Sequence, residues 1–212
     1  MIRLLLIAVL LSPLRGAIID RIAITVGQQV ITELQLDEEI RVTAFLNHKP
    51  VLRNLENRRA AADRLVEQLL VTREMELSHY PLPGAQDVDA YLDQVRADFG
   101  DHTQFEDALA AYSLPEETLK EHLALQLTTL RFIEFRFRPD ISVSDADIEN
   151  YYQRQITSWK ANHPGAVPPS LAASRESIRK TLIEAHTDEV LNTWLEESRK
   201  QLSIVYVDKS LQ

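Results

Sequence analysis

From Arg175 to Gln201 the chain runs 27 residues without a proline or a glycine. A segment of that length and composition has one economical conformation, an α-helix about 40 Å long at 1.5 Å per residue. The same absence of breakers recurs from Leu55 to Tyr80, where Leu65, Leu69, Thr72, Met75 and Glu76 follow the 3–4 spacing of a helix face. The chain holds only 5 glycines in 212 residues, against an average usage near 7%. A fold of many tight turns is therefore excluded in favour of long helices, and the expected class is mostly α.

The punctuation supports this order. Thr32 with Gln35 reads as a capping box opening a helix to about Leu46, and Asn47 to Asn54, with Pro50, reads as a loop. Pro81 and Pro83-Gly84 stop the second helix. Asp87 starts a third that ends at Gly100-Asp101; Thr103 with Glu106 caps a short helix to about Tyr112. Ser113 with Glu116 caps a long one from Pro115 to about Arg138, with Pro115 in its first turn. Ser144 with Asp147 caps a helix from Asp145 to about Trp159, and the Pro-rich stretch 161–174 reads as a linker.

The two ends of the chain read differently. Ile18 to Val26 is β-branched, Gly27-Gln28 suits a type II′ turn, and Gln29-Val30-Ile31 returns, which makes a hairpin. Leu202 to Val207 alternates like a strand. A small sheet pairing the N-terminal hairpin with the C-terminal strand is expected. Ahead of it, Met1-Ile2-Arg3, the apolar run Leu4–Leu11 and the small residues ending at Ala17 form the pattern of a secretory signal peptide, residues 1–17. The run is short of the roughly 20 residues that span a bilayer. The domain reading is thus 1–17 signal peptide, 18–160 helical body, 161–174 linker, and 175–212 a C-terminal helix and strand completing the same body.

Composition narrows function. Net charge is −9, and −11 without residues 1–17, with no basic run, which speaks against nucleic acid and against a membrane surface as partners. There is no cysteine, so disulfides, thiol catalysis and Cys-ligated metals are excluded. The six histidines are scattered, none three or four residues from another, so no helix offers a two-His metal face, and His122 reads as a surface histidine. No phosphate loop, Gly-x-Ser-x-Gly elbow or His-Glu-x-x-His motif occurs. The acidic clusters Asp37-Glu38-Glu39, Glu116-Glu117 and Glu196-Glu197 read as solvated helix faces or first turns. No catalytic residue, cofactor or metal is expected.

What remains is binding. On the helix after Pro115, Leu119, Leu123, Leu127, Leu130, Ile133 and Phe137 share one stripe, read as the core face, while Leu125, Phe132 and Phe135 lie off it. In the first helix Leu36, Ile40 and Ala44 share a face, with Leu34 and Phe45 opposite. Leu34, Phe45, Leu125, Phe132 and Phe135 are therefore candidates to line a groove for apolar polypeptide segments. The alternative is a second buried interface on each helix.

The order of elements resembles the SurA-type periplasmic chaperones. The opening Ile19-Asp20-Arg21-Ile22-Ala23-Ile24-Thr25-Val26-Gly27-Gln28-Gln29-Val30-Ile31-Thr32 looks like that family's strand, turn and capped helix. Leu65-Val66-Glu67-Gln68-Leu69-Leu70, the run Phe99 to Tyr112 followed by Leu119 to Phe137, and Ile178 to Val207 resemble its later segments. Ile141-Ser142-Val143-Ser144-Asp145-Ala146-Asp147-Ile148-Glu149-Asn150-Tyr151-Tyr152 resembles the stretch leading into the family's parvulin domain. Here the linker 161–174 stands where that isomerase domain would be, so no parvulin active-site residue carries over. The resemblance, shared with the client-holding modules of trigger-factor-like chaperones, implies an ATP-independent periplasmic chaperone for unfolded outer-membrane or secreted polypeptides, monomer or homodimer, without enzymatic activity. The rival expectations are a prolyl isomerase and a structural adaptor of an envelope assembly.

Overall fold

The computed structural model describes residues 20–163 and 165–212; the expected signal peptide and the first residues of the expected strand, Ile18 and Ile19, lie outside them. The elements are β1 (Ile22–Val26), β2 (Gln29–Thr32), α1 (Glu33–Leu46), α2 (Leu55–Leu77), α3 (Ala85–Ala97), α4 (His102–Ala111), α5 (Glu116–Arg136), α6 (Asp145–Asn162), α7 (Leu171–Gln201) and β3 (Ile204–Tyr206). The fold is mostly α with one antiparallel sheet ordered β2-β1-β3, as the sequence led us to expect.

The hairpin turns on Gly27, whose φ of 59° no β-branched residue would adopt cheaply. Gln28 keeps a negative φ, the signature of the type II′ turn. Val26 pairs with Gln29 and Thr25 with Val30, while on the other edge Thr25 pairs with Val205 and Ile24 with Tyr206. Ala23, Ile24 and Val26 are buried beneath α1, α2 and the end of α7. The last residues are fastened from outside the sheet. Arg58 Nη2 donates to Glu33 Oε2 at 2.9 Å and to Asp208 Oδ2 at 2.6 Å.

Asp208 also accepts from the Ser210 hydroxyl and backbone N–H; these bonds, and then Arg58, hold its carboxyl down to about 2. Its contribution is therefore complete above the ordinary aspartate value of about 3.9 and fades as pH falls through about 2. Asp208→Asn is expected to cost about 1 kcal/mol at pH 7, after solvent screening. That difference should shrink steadily below about pH 4 when urea midpoints are compared across pH.

The caps at Thr32 and Ser144 form as the spacing predicts: Gln35 N donates to Thr32 Oγ1 at 3.3 Å and Thr32 N to Gln35 Oε1 at 2.9 Å, with the same reciprocity between Ser144 and Asp147. Other boundaries differ: α3 opens at Ala85 on Gly84, with Asp87 as its third residue accepting from Gly84 N at 2.8 Å. α4 opens two residues earlier than expected, on Asp101 and Gln104, because an aspartate caps as well as the Thr103 two residues on. α5 has no side-chain cap; Pro115 is itself the boundary residue and Ser113 turns back with φ 51°. α6 reaches Asn162 and α7 begins at Leu171 on a Ser170 cap, whose hydroxyl accepts from Ala173 N at 3.3 Å. The expected linker is thereby shortened to the residues between them.

Three apolar clusters fill the body. The sheet packs with α1, α2 and the end of α7 around Leu36, Val66 and Leu70. Phe45 of α1 packs with α3, α4 and the first half of α5. Phe132 and Phe137 pack with Val71, Met75 and Trp194. α5 thus joins two clusters with different faces. Its first half buries Leu119 and Leu123, and its second half buries Thr128 and Phe132, which lie on the opposite side of the helix at 100° per residue. A single stripe does not describe it: Leu130, expected in the core, is 53% exposed. α6 packs on the first half of α7 around Ile148 and Ile178, forming a helical hairpin.

Candidate functional site

α1, α2, α5 and α7 leave between them an open cleft of about 550 Å³, with Tyr91 of α3 at its margin. Its apolar wall is Leu46, Val71, Leu130, Leu191 and Leu195. Interspersed are amide and hydroxyl side chains with bonding capacity to spare. Gln68 Oε1 is buried without a hydrogen-bond partner. Gln126 Oε1 accepts from the Tyr91 hydroxyl at 3.2 Å, leaving its amide nitrogen turned to other uses. Each helix contributes through its local sequence: Glu39, Arg64, Gln68 and Gln126 stand beside apolar positions of their own helices, so packing those neighbours draws Glu39 fully under cover and the other three in part.

At the floor lies a charged cluster. Glu39 is 4% exposed and His122 7%. Arg64 Nε donates to Glu39 Oε1 at 2.6 Å, the Thr43 hydroxyl donates to the same oxygen at 3.1 Å, and His122 Nδ1 is 3.0 Å from Glu39 Oε2. Arg64 Nη2 also donates to Thr43 Oγ1 at 3.1 Å. Burial works to raise the Glu39 carboxyl, but the hydrogen bonds from His122 and Arg64 and the Arg64 charge outweigh it, holding it below the usual glutamate range. This overturns two expectations: Glu39 is not on a solvated face, and His122 is not a surface histidine. The two are 83 residues apart in sequence, and each looks ordinary alone. The only sequence trace of the pair is an acid and a histidine lying close to the apolar stripes of their own helices.

The connectivity is one of fastening. The carboxylate stands between the imidazole and the hydroxyl, so His122 touches no nucleophile, unlike a base–nucleophile pair. Among the described residues, no three His, Asp or Glu side chains are grouped to hold a metal ion, and no helix is long and apolar enough to cross a membrane.

None of the five groove candidates lines this cleft. Phe45 is fully buried, stacked on Phe99 at 4.4 Å and edge-on to Phe105 and Tyr112. Phe132 is fully buried against Trp194 at 4.6 Å and Phe137 at 5.3 Å. Both are core residues unavailable to a client, because their helices are sandwiched and bury a second face. Leu125 is half-buried, and its carbonyl accepts from the Thr129 hydroxyl. Leu34 and Phe135 are exposed, 48% and 45%, with Phe135 stacked on Tyr80. The cleft instead uses their neighbours, Leu46 and Gln126, together with Leu130.

The sequence matches no protein-family model, and a search of curated proteins returns no match.

Proposed function

We propose that the protein is an ATP-independent periplasmic chaperone, without isomerase activity, that holds unfolded outer-membrane or secreted polypeptides in the cleft between α1, α2, α5 and α7. The observation that carries this reading is the cleft itself: a leucine-rich wall beside unengaged amide groups. Such a surface suits an extended polypeptide, whose side chains need apolar contact and whose backbone needs hydrogen-bond partners. Its open form favours weak, fast contacts and hand-off over permanent capture. The acidic surface, net charge −9, keeps a loaded complex soluble. The resemblance in element order to SurA-type chaperones points the same way.

The mature protein is expected to slow aggregation of a denatured β-barrel client at near-stoichiometric ratios; no effect over a concentration range would refute the reading. Leu130→Ser separates the cleft from the core. Leu130 is more than half exposed, so the melting temperature should hold to within about 0.5 kcal/mol of stability while client holding weakens. A prolyl-peptide isomerisation assay should give only the buffer rate. N-terminal sequencing of the protein recovered from cells tests export: an intact Met1 on a cytoplasmic product would exclude the periplasm. Pull-down from envelope extract separates a spread of clients from the single stoichiometric partner of an adaptor.

A further inference from the structure

The charged cluster under the cleft demands a reason. Removing a carboxylate and an imidazole from water, with a guanidinium only partly covered beside them, costs more than packing apolar side chains of like volume, so such a cluster is weak support for stability. Its placement supplies the reason. Glu39 belongs to α1, Arg64 to α2 and His122 to α5, three of the helices that frame the cleft. α1 and α5 touch each other less than either touches α2; Glu39 and His122 join them directly across the floor. We propose that Glu39, Arg64 and His122 form an acid-released latch, which holds α1 against α5 at neutral pH and lets the cleft widen when Glu39 takes up a proton.

The charges facing Glu39 decide the direction. From its own helix comes Thr43; Asp37 and Arg41 of α1 pair with each other and with Arg53 and the Ser113 carbonyl. From α2 comes Arg64; Glu67, which also lines the cleft, is held by Arg199 at 3.1 Å. From α5 comes His122. The lining residues of α7, Leu191 and Leu195, carry no charge, and Tyr91 of α3 is bound to Gln126. With Glu39 ionised, its carboxylate pairs with the Arg64 guanidinium through one oxygen and meets His122 Nδ1 through the other. Once it is protonated, Arg64 of α2 loses its anion and the contact between Glu39 and His122 loses its carboxylate, so the tie that joins α1 to α5 across the floor weakens. Because the folded carboxyl titrates below its usual range, the latch stays shut through mildly acidic pH. Its hold is complete above the unfolded glutamate value of about 4.3 and is lost as pH falls through the lower folded one.

The latch rests on the chaperone reading for its purpose but is detected without any client. The chain has no cysteine, so Asn47→Cys and Leu130→Cys place two spin labels on α1's end and on α5, across the cleft. Distances are read from pH 7 downward to the onset of acid unfolding, which far-UV circular dichroism marks alongside. The expected result is a longer, broader distance distribution at low pH with helix content retained, and the same long distance already at pH 7 in Glu39→Gln. An unchanged distance in the wild type, a short distance at pH 7 in a folded Glu39→Gln, or lengthening only as helix is lost would each overturn the latch. Should Glu39→Gln fail to fold, His122→Gln decides: it takes away the imidazole that helps hold the Glu39 carboxyl down, and must move the opening to higher pH. An unchanged midpoint there overturns the proposal. Client holding at pH 7 is scored separately, so a failed latch leaves the chaperone reading standing, and the converse also holds.

Discussion

Phe132→Ala is expected to destabilise the protein by about 3–5 kcal/mol and to lower the melting temperature by roughly 10 °C. The ring is fully buried and meets Trp194 at 4.6 Å and Phe137 at 5.3 Å. Around it stand Val71 and Met75 of α2, so truncation opens a cavity at the point where α2, α5 and α7 meet, and rigid helices collapse into such a space only partly. Had Phe132 lined a groove, the same change would leave the melting temperature almost untouched. The fluorescence of Trp194 reports the cavity directly, provided that Trp159, the other tryptophan, on α6, is replaced by phenylalanine in the reference protein. A red-shifted Trp194 emission with early thermal unfolding is the expected pair of results; a wild-type melting curve would contradict the burial described above.

Glu39→Met is expected to cost about 1–3 kcal/mol, for a different reason, the loss of Arg64's partner being softened because more than a third of that side chain meets water. The substitution leaves Arg64 and His122 at the cleft floor without their anion, and the Thr43 hydroxyl loses its acceptor. The penalty is that of uncompensated burial, so removing the other partners should repair it. The triple variant Glu39→Met, Arg64→Leu, His122→Phe is expected to return to wild-type stability or exceed it, since an apolar cluster of similar volume avoids the desolvation cost. Urea midpoints for the single and triple variants decide this. A single variant as stable as wild type would mean that the ion cluster is hydrated and carries little. A triple variant that stays as unstable as the single one would mean that the cluster is a net source of stability rather than a cost accepted for control.

Local rules served well where one helix or turn was at stake. Thr32 with Gln35, Ser144 with Asp147, and Gly27 at the head of the hairpin act within four residues of themselves, so their roles were visible before any packing was known. The pairing of the two chain ends was also legible, because β-branched runs are conspicuous in a helical chain. The cleft was not. Its charged floor joins residues 83 positions apart, and a lone histidine or glutamate carries no mark of its eventual partner. α5 shows the other failure. A single rotation of 100° per residue assumes one buried face, yet Leu119 and Phe132 are both fully buried on opposite sides, since different neighbours cover the two halves. That assumption sent Leu130 to the core, where packing leaves it more than half exposed, and left Phe132 open between a groove and a second buried interface, of which packing imposes the second.

The sheet has a consequence for the order in which the protein can be made. β1 needs two neighbours. The first, β2, follows it after a two-residue turn, whereas the second, β3, lies about 180 residues downstream. At typical synthesis rates roughly 10–35 s separate the two. Throughout that interval one edge of β1 and the apolar side of α2 that later receives the end of α7 stand open. Until then β1 is an unpaired sheet edge, the kind of edge that invites pairing with other chains, and the three-residue β3 is the stitch that closes it.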